Sequence, residues 1–112
     1  MKLYAFYLER GIDKPFMKEV FEARRLNGVY YLDGATPRWL CRHYVYDFHI
    51  GKVQNEISDY IFLLEDDDEK AKLEMLRYYD GEIKRLRNLM IKNEKKKTEV
   101  RHGATVSDTD TK

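Results

Sequence analysis

Thr36-Pro37-Arg38-Trp39-Leu40-Cys41-Arg42-His43-Tyr44-Val45-Tyr46-Asp47-Phe48-His49-Ile50 is the stretch on which the fold class turns. Read as a helix, it has a good start in Thr36-Pro37 and a stop in Gly51. Leu40, Tyr44 and Phe48 then share one face, with Trp39 and His43 beside it. Read as a strand, it has Val45, several aromatics and the alternation Leu40, Tyr44, Tyr46, Phe48, Ile50. The two punctuation signals favour the helix narrowly. Ile57 to Leu64 poses the same question. Ile57, Tyr60, Ile61 and Leu64 fit a helical face, while Tyr60-Ile61-Phe62-Leu63-Leu64 fits a buried strand, which is favoured. Two helices here would make the chain all-α; otherwise it is α+β.

Toward the N-terminus, Lys2 to Leu8 is apolar at nearly every position, as suits a strand covered on both faces. Asp13 reads as a helix N-cap with Pro15 in the first turn. Phe16, Met17, Val20, Phe21 and Ala23 follow at helical spacing, and Asn27-Gly28 supplies a left-handed end. This predicts a helix over 14–26. Val29 to Leu32 predicts a strand, and Asp33-Gly34 a turn.

Toward the C-terminus, Asp66 and Glu69 have the spacing of a capping box. Leu73, Leu76, Tyr79, Ile83, Leu86 and Met90 then recur at intervals of three and four. A helix over 68–93 follows, with Gly81 as a point where it would bend or break. Acids at its start and bases at its end suit the helix dipole. Residues 94–112 read as a disordered polar tail. The expected architecture is a single domain over 1–93, α+β. A small sheet (2–8, 29–32 and 57–64) is covered by helices 14–26 and 68–93.

At 112 residues there is room for one modest core. The formal net charge of +1 gives no global pull toward nucleic acid or membrane. Charge is nonetheless segregated. Residues 65–69 are all acidic, whereas Lys84, Arg85, Arg87, Lys92, Lys95, Lys96 and Lys97 face only Glu94. The single cysteine, Cys41, excludes an intrachain disulfide. There is no signal-peptide pattern and no apolar run of membrane-spanning length. A cytoplasmic location is expected.

Four constellations could carry function. Cys41, His43, Asp47 and His49 would share one face of a strand and include good metal ligands, but a single strand cannot wrap a metal, so no metal site is assigned. Cys41 with His43 or His49 could form a nucleophile–base pair, but no local signature of such a site surrounds the thiol. Lys84, Arg85, Arg87 and Lys92 form a basic patch of the kind that binds nucleic-acid phosphates. Tyr30, Tyr31, Trp39, Tyr44 and Tyr46 could stack on bases if exposed. Finally, the helical seam is longer than a core of this size needs. Its part at Tyr79, Ile83, Leu86 and Met90 points to a protein partner or a homo-oligomer. No glycine-rich phosphate loop is present, no cofactor is implied, and no enzyme signature stands out.

The chain is short, rich in Tyr, Lys and Glu, opens on a strand and ends in a polar tail. In this general character it resembles the small accessory reading frames of bacterial viruses and mobile elements. That resemblance implies a regulatory protein in the host cytoplasm that binds and modulates a macromolecule. The expectation is a non-enzymatic interaction protein, with nucleic-acid binding through the basic helix as the alternative.

Overall fold

The computed structural model describes residues 1–11 and 13–104. It contains six strands and one long helix: β1 (Lys2–Leu8), β2 (Phe16–Leu26), β3 (Val29–Leu32), β4 (Tyr44–Tyr46), β5 (Gln54–Asn55), β6 (Asp59–Leu63) and α1 (Asp68–Arg101). The strands form one sheet in the order β4-β3-β2-β1-β6-β5, with every neighbouring pair antiparallel. The fold is therefore α+β. By chain contacts it divides into two compact units, Met1–Tyr78 and Tyr79–Lys112.

The sheet curls at β2, which pairs with β1 over residues 16–22 and with β3 over residues 23–26. Here the sequence expectation of a helix over 14–26 is corrected, because Phe16–Leu26 is a strand. Its apolar residues obey period two as well as helical spacing: Phe21 and Ala23 are buried, and Val20 and Glu22 between and beside them are exposed. The intended helix stop has a different use. Asn27 and Gly28 both take positive φ, +51° and +77°, between the paired residues Leu26 and Val29. That is the two-residue hairpin connection Asn-Gly favours. Asp13, expected as an N-cap, sits in a turn with φ +63°.

The second correction concerns 36–50, which is not a helix. Pro37 opens a single turn, with the Leu40 N–H on the Pro37 carbonyl at 3.1 Å. The chain then becomes β4 at 44–46 and a short 3-10 turn, Asp47–His49. Burying Trp39 and Leu40 together, adjacent in sequence, is what a loop pressed on a sheet can do. Strands at 2–8, 29–32 and within 57–64 are as expected.

The core lies on one face of the sheet. Leu3, Ala5, Tyr7, Phe21, Ala23, Tyr30, Leu32, Val45, Tyr60 and Phe62 form it, with Trp39 and Leu40 laid over them from the loop. The Trp39 ring stacks on Tyr7 at 4.0 Å and 8° and meets Phe21, Tyr60 and Phe62 at 5.8–6.4 Å. Its indole N–H donates to Glu19 at 3.1 Å, and its carbonyl accepts from the buried Ser58 hydroxyl at 2.8 Å. Phe6, Ile61 and Leu63 are buried on the opposite face. The central strands β1 and β6 are thus covered on both sides, which explains their continuous apolar runs.

α1 is 34 residues long, about 50 Å at 1.5 Å per residue. Its N-cap is Asp67, one residue after the expected Asp66: the Asp67 carboxylate accepts the Lys70 N–H at 3.0 Å. Asp66 instead joins Asp68 in holding Lys18 of β2, at 2.8 and 3.2 Å. The helix runs through Gly81 without a break and ends at Arg101, eight residues past the expected stop. Good helix formers, Lys and Glu, occupy every position from 94 to 99 except Thr98. Of the expected polar tail, residues 105–112 lie outside the described residues. The sheet has one helix, not two, beside it in sequence, and Ala71 and Met75 are the buried residues of α1.

Candidate functional site

The expected seam residues lie on the second unit, Tyr79–Lys112. Tyr79 is half-buried. Ile83, Leu86 and Met90 are 48%, 51% and 62% exposed, and Leu89 and Ile91 beside them are 44% and 56% exposed. From Ile83 to Arg101 every side chain of α1 is exposed. Tyr79, Ile83, Leu86 and Met90 are spaced four, three and four apart. At about 100° per residue they fall within a stripe roughly 60° wide. Ala71 and Met75, which are buried, fall about 90° and about 50° to one side of the centre of that stripe, on the same count. The stripe therefore borders the side of α1 that buries Met75, about 20° from Leu86 on this count. Leu89 was not singled out by the sequence reading. It flanks the stripe, where a strict alternation of three and four does not look.

On the same count Arg87 lies about 70° from the centre of the stripe, whereas Lys84, Arg85 and Lys92 lie about 130–150° from it, on the far side of the helix. Lys84, Arg87 and Lys92 form no ion pair among the described residues. Arg85 is held by Glu82 one turn back, at 2.9 and 3.3 Å, and this pairing lowers the Glu82 carboxyl below its ordinary range. Glu82 and Arg85 are thus an i,i+3 ion pair. Asp80 and Arg87 make no ion pair with any described residue.

The Cys41, His43, Asp47, His49 constellation is not assembled. Only 44–46 is strand, so alternation does not gather the four onto one face. The Cys41 thiol donates to Glu56 at 2.9 Å, while Asp47 pairs with Arg25 at 2.7 Å. His43 lies edge-on to Tyr44, and His49 lies against Tyr46 and Phe48. Among the described residues no group of three or more His, Cys, Asp or Glu could hold a metal ion.

Glu56 is the polar hub the sequence reading missed. Its carboxylate accepts from the Cys41 thiol, the Arg42 guanidinium and the Tyr60 hydroxyl. Burial pushes this carboxyl up. The hydrogen bonds from Cys41, Tyr60 and Arg42, with the Arg42 charge, outweigh burial and leave its pKa lowered. Tyr60 moves the other way, raised by burial and by the adjacent carboxylate. Glu56 thereby ties the 41–42 loop to β6. No local pattern around residue 56 announces this, because its partners lie up to fifteen residues away.

Of the aromatics considered for base stacking, Tyr30 and Trp39 are buried in the core. Tyr44, Tyr46, Phe48 and His49 form a chain of rings along the β4 edge, with Tyr46 stacked on Phe48 at 5.2 Å and 9°. Arg42 lies over Tyr44. The nearby cations are already matched by acids, Arg25 by Asp47 and Arg42 by Glu56. This edge therefore offers ring faces without the free positive charge that phosphate contacts need.

No helix among the described residues is long and apolar enough to cross a membrane. No protein-family model matches the chain, and no curated protein or solved structure matches it.

Proposed function

We propose that this is a small, non-enzymatic interaction protein that docks a protein helix through Tyr79, Ile83, Leu86 and Met90 of α1 and so modulates a macromolecular partner. The observation that carries this reading is the exposure of Ile83, Leu86 and Met90, 48% to 62%, on a helical segment with no buried residue. A contiguous apolar stripe left in water is unfavourable by about 25 cal/mol for each Å² that a partner would cover. A heptad-like stripe is the form in which one helix recognises another.

The test places a photo-crosslinking amino acid at Leu86, with Phe48 on the sheet as the control position, in the full chain. Protein adducts are expected at 86, to be lost with Ile83→Asp, and to be weak or absent at 48. The reading fails if no adduct forms at 86. It also fails if Ile83→Asp/Leu86→Asp unfolds residues 1–78, as followed by the fluorescence of the lone tryptophan, Trp39.

A second reading is favoured by one observation: Lys84, Arg87 and Lys92 carry positive charge that no described acid neutralises. Together with Arg85 they could bind nucleic-acid phosphates. Affinity for a single- or double-stranded oligonucleotide would then fall steeply between 50 and 200 mM salt, on the order of tenfold or more. Absence of binding at 50 mM salt removes this reading.

A further inference from the structure

Resting on the docking reading above, we infer that the partner helix is a second copy of this chain, paired antiparallel through α1. The stripe reads the same in both directions. Tyr79, Ile83, Leu86 and Met90 have the palindromic spacing four, three, four. Reversing one copy sets Ile83 against the partner's Leu86 and Tyr79 against the partner's Met90, and the two-fold axis repeats each layer. Ile83, Leu86 and Met90 are exposed in the single chain and available for such layers, and Tyr79 is half-buried.

Charge selects the orientation. Acids precede the midpoint of the stripe (Asp80, Glu82) and bases follow it (Arg85, Arg87), with Lys84 at the midpoint itself. In the reversed pair, Asp80 stands beside the partner's Arg87, twice by symmetry, and neither residue has an ion-pair partner among the described residues. The pattern extends outward, with Asp68 and Glu69 in the first turn and Lys95, Lys96 and Lys97 near the last. A parallel pair would set Lys97 against its own copy on the line of the stripe, and Lys96 against Arg101. The reversed pair has a smaller conflict, Lys72 opposite Lys97 beyond the apolar layers, where the Lys72 side chain is already 55% exposed.

The experiment uses the full chain in sedimentation-velocity runs over a concentration series at 50 and 300 mM salt, with circular dichroism to check folding. The wild type is expected to dimerise. Asp80→Arg and Arg87→Asp should each weaken the dimer by about tenfold, since each turns two attractions into repulsions. The double variant should recover to within about threefold of the wild type. An equimolar mixture of the two single variants should form a heterodimer tighter than either homodimer. In a parallel pair Arg87 would face Glu82 instead, and Asp80→Arg could not rescue Arg87→Asp.

A wild-type dimer without rescue, dissociated by Ile83→Asp/Leu86→Asp, overturns the antiparallel pairing and leaves the docking reading standing. A wild-type monomer up to about 100 μM at 50 mM salt overturns the second copy as partner. The docking reading then stands or falls on whether crosslinked adducts at 86 contain a different protein.

Discussion

The two compact units treat apolar residues in opposite ways. In Met1–Tyr78, Leu3, Ala5, Phe6, Ile61 and Phe62 are sealed from water, and even the polar atoms of Trp39 and Ser58 are hydrogen-bonded. In Tyr79–Lys112, Ile83, Leu86, Met90 and Ile91 stand about half or more exposed. Composition does not make the difference, because both units contain large apolar residues. What differs is the presence of a second layer. Sheet residues have both neighbouring strands and an overlying loop, whereas from Ile83 to Arg101 every side chain of α1 is exposed.

The sharpest way to break this comparison is at Trp39. Trp39→Ala removes the ring that stacks on Tyr7 and touches Phe21, Tyr60 and Phe62, and should cost about 3–5 kcal/mol in chemical denaturation followed by circular dichroism. A loss under about 1 kcal/mol would mean that the loop is not part of the core.

Glu56→Gln comes next. It keeps the shape but loses the charge that Cys41, Tyr60 and Arg42 converge on, and should cost about 1–3 kcal/mol. Because the folded Glu56 has a lowered pKa, its contribution is present above the unfolded carboxylate pKa and lost as pH falls through the folded value. The stability difference between wild type and variant should therefore shrink on acidification. A difference that stays constant from pH 7 to pH 3 would rule out an ionised hub.

On the helix the expected effects are smaller. A Cβ at Gly81 meets nothing within 4 Å, so Gly81→Ala should stabilise α1 by about 1 kcal/mol, seen as slower amide exchange around residue 81. Destabilisation would show that the glycine has a packing role. Smallest of all, Ile83→Asp/Leu86→Asp should leave the unfolding of Met1–Tyr78 within about 0.5 kcal/mol of wild type, as surface changes do. A large loss would show that these two residues belong to a core.

The same contrast governs what could be read from the sequence. Elements whose signals are local were legible. β1 and β6 show as continuous apolar runs because both faces are buried, and α1 shows by its three–four spacing over many turns. β2 was not legible, because Phe16, Val20, Phe21 and Ala23 satisfy helical spacing while Phe21 and Ala23 also satisfy alternation. The decision comes from pairing with β1 and β3, which is a tertiary fact. The resolving clue was Asn27-Gly28, whose left-handed preference serves a hairpin as well as a helix end. Thr36-Pro37 misled for a related reason, since a good start for a helix is also a good start for one turn. In the candidate surface, the four seam residues and the basic residues were legible from spacing and charge. Glu56 was not, because nothing in its neighbourhood marks the three donors that fold onto it.

The strand order has one last consequence. The two outermost strands are β4, three residues long, and β5, two residues long. A sheet recruits another chain by templating hydrogen bonds along its border, and a border of two or three residues offers too few to hold a newcomer. Growth by strand addition therefore stalls at both rims, and the rings of Tyr44 and Tyr46 line one of them without lengthening it. The assembly proposed above is helical, and a two-fold pair of that kind would close at two chains instead of propagating.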